Sequence, residues 1–152
     1  MIRVVVVDDH QLVREGLASL VAAGPDVAVV GLAANGIEGV ALVVREKPDV
    51  VLLDLSMPEL DGLGVLVRLR ELGVAAKAII LTTFDEDQLV LNGVRAGARG
   101  FLLKDVSLEQ LVNAIKTVAE GGSLVQPGLT DRLFRGVSHL ENKFASLDEP
   151  DP

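Results

Sequence analysis

The chain has 152 residues, enough for one core and a short appendage. Hydrophobic residues make up 49% of it and aromatics only 3%, so burial must rest on Val, Leu, Ile and Ala; the lack of Cys excludes disulfides, thiolate metal sites and cysteine nucleophiles. Fourteen Lys and Arg against 22 Asp and Glu leave a net charge of -8, with no basic cluster to draw in a polyanion such as DNA.

The apolar N-terminal run that ends at Asp8 is too short to span a membrane and is followed by no cleavage site, so neither a membrane nor a secretory destination is expected. A reducing cytoplasm suits the cysteine-free composition. Ile2 to Val7 reads as a first strand. Gln11 to Ala23 then places Leu12, Val13, Leu17, Leu20 and Val21 at helical spacing, with Gly24-Pro25 as the stop. Val27 to Ala33 is a second strand. Beyond Asn35-Gly36, the spacing of Ile37, Val40, Ala41 and Val44 predicts a helix that Pro48 ends. Val50 to Leu53 is a third strand, apolar enough to be central. Leu60 to Leu72 follows as a helix, Ala78 to Leu81 as a strand, Asp87 to Ala96 as a helix closed by Gly97, and Phe101 to Leu103 as a short strand. Ser107 and Gln110 have capping-box spacing ahead of a stripe of Leu108, Leu111, Ile115 and Val118, which Gly121-Gly122 ends. Five such units predict an open parallel α/β sheet with helices on both faces. From about Gly122 the pattern degrades. Pro127 to Phe134 could form one short helix, and Asp148 to Pro152 reads as a solvated end, so residues 1–121 are the expected domain and 122–152 a linker or tail.

Ligands of such a sheet gather at the carboxyl ends of its strands. Strand one ends in Asp8-Asp9, strand three in Asp54 and strand four in Thr82-Thr83, while Lys104 follows strand five. Each alone has a plain structural explanation: a helix cap for Asp8-Asp9, a loop start for Asp54, a β-branched strand residue at Thr82, a solvent charge at Lys104. Together they make a complementary set. Three converging carboxylates need a counter-ion, and Mg²⁺, a hard ion that takes oxygen ligands beside phosphate, answers that need. A carboxylate so placed can accept a phosphoryl group, whose charge the ion, Lys104 and a Thr hydroxyl would stabilise.

Val7-Asp8-Asp9-His10, Leu52-Leu53-Asp54-Leu55-Ser56-Met57-Pro58, Asp61-Gly62, Leu81-Thr82-Thr83 and Gly100-Phe101-Leu102-Leu103-Lys104 together resemble the receiver domains of bacterial two-component response regulators, over about residues 1 to 121. The resemblance implies a flavodoxin-like (CheY-like) five-stranded sheet in the order 2-1-3-4-5. It makes Asp54 the phosphoacceptor. Asp9, Asp54 and the Ser56 backbone carbonyl would be direct Mg²⁺ ligands, Asp8 would act through bound water, and Mn²⁺ is an alternative ion. Lys104 would pair with the phosphoryl oxygens, Thr82 would supply the switch hydroxyl, and Phe101 would be the aromatic that follows it, unless Phe101 is plain core packing. The phrases Leu81 to Asp85 and Phe101 to Asp105 are most similar to the subfamily with a C-terminal LuxR-type helix-turn-helix, which is absent here. The chain is therefore expected to be an excised receiver with its linker, phosphorylated by a sensor histidine kinase, dimerising in response, and acting on DNA and transcription only through that missing domain. The runner-up is a standalone receiver that passes or drains phosphate.

Catalysis would be limited to the chain's own phosphorylation and dephosphorylation. A phosphohydrolase is disfavoured because Ser56 stands where an acid/base Asp would be wanted. A flavin-binding domain is disfavoured because Asp8-Asp9-His10 would repel the ligand's phosphate. One departure from the family concerns Asp105, which follows Lys104 where many receivers have Pro; a cis bond there would cost about 3 kcal/mol without proline, and its geometry is left open.

Overall fold

The computed structural model describes the backbone of residues 1–82 and 87–125, with the side chains of all but 87–90. The short helix expected from Pro127 to Phe134, and the acidic end at Asp148 to Pro152, lie outside the described residues.

The elements run β1 (Ile2–Val7), α1 (Gln11–Ala22), β2 (Val27–Ala33), α2 (Gly36–Glu46), β3 (Val50–Asp54), α3 (Gly62–Glu71), β4 (Lys77–Thr82), α4 (Asp87–Arg95), β5 (Gly100–Leu103), α5 (Leu108–Ala119) and β6 (Leu124–Val125). All the strand pairs are parallel, and the order is β2-β1-β3-β4-β5-β6. The expected 2-1-3-4-5 order is present. The sixth strand was not expected, because two residues are too short to show any alternation; it pairs Gly100 with Leu124 and Phe101 with Val125.

β3 is buried along its whole length, and Val4 to Val7 of β1 are fully enclosed, as a strand covered on both faces requires. On one face Leu17 and Val21 of α1 and Leu111, Ala114, Ile115 and Val118 of α5 pack over Val4, Val6, Leu52, Ile79 and Leu81. On the other, Leu42 and Val43 of α2 and Val65, Leu66 and Leu69 of α3 cover Val5, Val7, Val51, Leu53 and Ile80. The helix starts follow from their caps. Asn35 accepts the Glu38 N–H at 2.9 Å, Asp61 accepts the Gly64 N–H at 2.8 Å, and Ser107 and Gln110 close a reciprocal capping box.

Two helical stripes differ from expectation. In α1, Leu12 and Leu20 are exposed, and only Leu17 and Val21 of the expected stripe are fully buried. In α2, Ile37 and Val44 face outward, while Gly39, Leu42 and Val43 face the sheet. This helix is apolar around most of its circumference, so periodicity alone admits two faces; the close approach of Gly39 to Val7 selects one.

Parallel register carries the polar strand ends to one edge. Val7 is level with Leu53, Asp54 with Leu81, and Thr82 with Leu103. Asp8, Asp54, Thr82 and Lys104 therefore stand in a row across four adjacent strands.

Candidate functional site

Asp8 leaves β1 under three constraints. Its N–H donates to the Ala33 carbonyl at 3.1 Å, its carboxylate Oδ1 accepts the His10 N–H at 2.9 Å, and its carbonyl accepts Arg14 Nη1 at 2.8 Å. Strand, helix N-cap and the second turn of α1 thus hold one residue, whose side chain is only 1% exposed. Asp9, next in the chain, is a quarter exposed and faces the mouth of the site. Asp54 is the last residue of β3 and is buried.

Lys104 reaches this group from the end of β5. Its N–H continues the ladder to the Thr82 carbonyl at 2.9 Å, which fixes its backbone, and its Nζ lies 3.0 Å from Asp54 Oδ1 and 3.6 Å from Asp8 Oδ2. Burial pushes the Asp54 carboxyl up to about 6. The hydrogen bond from Lys104 opposes that shift, the charge of Asp8 adds to it, and the Lys104 charge and the Ser56 N–H oppose it further. Lys104 is thus shared between two buried carboxylates, those of Asp8 and Asp54. His10 joins them from the rim, with Nδ1 3.1 Å from Asp9 Oδ1 and 3.5 Å from Asp8 Oδ1.

Ligand atoms of Asp8, Asp9, His10 and Asp54 all lie within 4.8 Å of one another. Asp8 Oδ2 and Asp54 Oδ2 are buried, and the one Lys104 ammonium, 3.6 Å from Asp8 Oδ2 and 3.0 Å from Asp54 Oδ1, is shared by both carboxylates. The donor set, hard oxygens with a surplus of negative charge, fits a divalent metal ion.

The loop after β3 is set by two close backbone approaches. A Cβ on Gly62 would lie 2.4 Å from the Asp54 carbonyl oxygen, and one on Gly36 would lie 2.0 Å from the Leu60 carbonyl oxygen. The Gly62 N–H donates to the Leu55 carbonyl at 2.9 Å, so the start of α3 is seated directly against the end of β3. Ser56 is exposed on this loop, two residues from Asp54.

Of the residues singled out from sequence, Asp8, Asp9, Asp54 and Lys104 form one cluster. Thr82 is fully buried at the end of β4. Phe101, 2% exposed, pairs in register with Ile80, so Phe101 and Thr82 belong to the same face of adjacent strands. The peptide bond between Lys104 and Asp105 is trans. His10 was read only as part of the Val7-Asp8-Asp9-His10 motif, with no role of its own, and Arg14 was not singled out. The position of His10 directly after two acids was the available signal, and Arg14, one helical turn later, carried none.

The model of the response regulator receiver domain matches residues 4–116. Among curated proteins, the transcriptional regulatory protein LnrK of Bacillus subtilis is 33% identical over 97% of this chain and 71% of its own length. YdfI of the same organism is 41% identical over 88% of this chain, and the nitrate/nitrite response regulator NarL of Escherichia coli is 35% identical over 84%. The matches span 62% of YdfI and 59% of NarL, so these relatives extend well beyond the matched part. Among solved structures, a LuxR-family two-component response regulator from Aurantimonas has a TM-score of 0.83 at 30% identity, covering 91% of this chain and 99% of that one. The receiver domain of a putative NarL from Mycobacterium tuberculosis has a TM-score of 0.75 at 38% identity, covering 79% of this chain and 97% of its own.

Proposed function

The chain belongs to the response-regulator receiver domain family of two-component systems, and from that premise we propose that it is a phosphorylation switch in which Asp54 accepts the phosphoryl group. The observation that carries this reading is the pairing of a buried Asp54, raised to about 6, with Lys104 at 3.0 Å, beside the carboxylates of Asp8 and Asp9. At neutral pH such a carboxyl is roughly nine-tenths ionised, yet more basic than an ordinary aspartate, which suits a nucleophile. The bond to phosphorus from a donor imidazole nitrogen or acyl oxygen breaks, the donor keeps the electron pair, and an Asp54 oxygen forms the new bond.

Asp8, Asp9, Asp54 and the Ser56 carbonyl would hold Mg²⁺, or Mn²⁺ in its place; when bound, the ion supplies charge neutralisation between carboxylates and phosphoryl oxygens. Asp8, pinned by its three hydrogen bonds, keeps its carboxylate oriented without reorganisation. Lys104 would exchange its contact with Asp54 Oδ1 for a phosphoryl oxygen, and the Thr82 hydroxyl would donate to another. Movement of Thr82 along its face would open space behind it, which Phe101 is placed to fill.

A sensor histidine kinase is the donor of this reading. Dimerisation is its output, and DNA binding and transcription would follow through a further domain, a reading supported by relatives such as LnrK, named a transcriptional regulatory protein. Catalysis is confined to the chain's own phosphorylation and dephosphorylation, and the cytoplasm is its setting; among the described residues no helix is long and apolar enough to cross a membrane. A standalone relay is not favoured, since the curated relatives named above are transcriptional regulators or response regulators.

Intact mass after incubation with a small acyl phosphate and Mg²⁺, with sizing of the same samples, tests the proposal. Wild type should gain one phosphoryl group and lose that gain without Mg²⁺, while Asp54→Asn should gain none. Equal labelling of both proteins would remove Asp54 from the reaction.

A further inference from the structure

His10 is the one member of the acidic cluster that a magnesium site does not need. As N-cap of α1 it makes no side-chain cap bond; its backbone N–H, donated to Asp8 Oδ1, fixes where the imidazole begins. The ring then turns Nδ1 toward the acids, 3.1 Å from Asp9 Oδ1 and 3.5 Å from Asp8 Oδ1, although two-thirds of the side chain is exposed and other directions are open to it. Ligands of a first-row ion at about 2.1 Å stand about 3.0 to 3.4 Å apart in octahedral or tetrahedral geometry, and these separations lie close to that range. Asp8 and Asp54, whose buried carboxylates share the single Lys104 ammonium, belong to the same cluster, each with a ligand atom within 4.8 Å of the others.

Imidazole nitrogen is a poor partner for Mg²⁺ and a good one for borderline ions. We propose that His10 is a nitrogen ligand that makes this site receptive to Zn²⁺, Co²⁺ or Ni²⁺ in addition to Mg²⁺. This rests on the reading of the acidic cluster as the divalent-ion site. An ion held through His10 competes for the oxygens that Mg²⁺ uses, so exchange between the two classes of ion sets how much of the protein is ready for phosphoryl transfer.

The sequence has two histidines, which makes the inference separable. Calorimetric titration of the full chain, stripped with chelator, with Zn²⁺ and separately with Mg²⁺, together with visible absorption on adding Co²⁺, would be measured for wild type, His10→Gln, His139→Gln and Asp54→Asn. Expected are a loss of Zn²⁺ and Co²⁺ affinity of about tenfold or more in His10→Gln, Mg²⁺ affinity within about twofold of wild type in that variant, and no change in His139→Gln. Equal Zn²⁺ affinity in wild type and His10→Gln overturns the role of His10, and the reading of the cluster survives if Asp54→Asn still weakens Mg²⁺. Loss of Zn²⁺ binding in His139→Gln also overturns it. Failure of wild type to bind either ion removes the divalent-ion site and this inference with it.

Discussion

Replacing Asp54 with Asn removes a carboxyl that the fold holds at about 6 against an ordinary 3.8. The folded-state value is the higher one, so the native state binds the proton more tightly than the unfolded chain does. Stability from this group is therefore fully present below about 3.8 and is lost as pH rises through about 6. At neutral pH the ionised carboxylate costs up to about 3 kcal/mol, which water at the open mouth of the site screens to roughly half. Asp54→Asn, nearly isosteric with the protonated acid, should thus be more stable than wild type by about 1.5 kcal/mol at pH 7, or roughly 4 to 6 °C in melting temperature. Lys104 keeps Asp8 as a partner at 3.6 Å, so the substitution does not strand the ammonium. Urea denaturation of both proteins in chelator-treated buffer from pH 4 to pH 8 is the assay. The difference should be near zero at the acid end, grow between about pH 4 and pH 6.5, and level off above that, where Asp54 is ionised in the folded and the unfolded chain alike. A difference independent of pH, or a less stable Asn variant at pH 7, would refute the placement of a destabilised carboxylate at the end of β3.

Lys104→Met should raise the Asp54 carboxyl above about 6 by removing its neighbouring cation, observable as a higher titration midpoint of its carboxyl carbon by NMR, and should slow phosphorylation from a small acyl phosphate. Gly62→Ala should destabilise the chain by about 2 to 4 kcal/mol in urea denaturation, since its Cβ meets backbone oxygen at 2.4 Å and neither β3 nor α3 can yield cheaply. Ser107→Ala breaks the capping box of α5 and should cost about 1 kcal/mol by the same method, with phosphorylation of Asp54 unchanged.

Much of this protein is legible in its sequence. Runs such as Val4 to Val7 and Val50 to Leu53, apolar at every position, declare strands covered on both faces, and polar residues at their ends name the edge where ligands gather. Capping pairs such as Ser107 with Gln110 announce a helix start because the signal is local: a side chain meets a backbone group three residues away. Tertiary structure decided what depends on distant partners. Which stripe of α2 is buried follows from Gly39 meeting Val7, and the pairing of Leu124 and Val125 with β5 follows from an available sheet edge, not from two residues' own preference. The values that matter for chemistry are also of this kind. The 3.0 Å from Lys104 to Asp54, the burial that lifts Asp54, and the inward turn of His10 require four strand ends to share one edge, because solvation and charge depend on what stands nearby in space rather than along the chain.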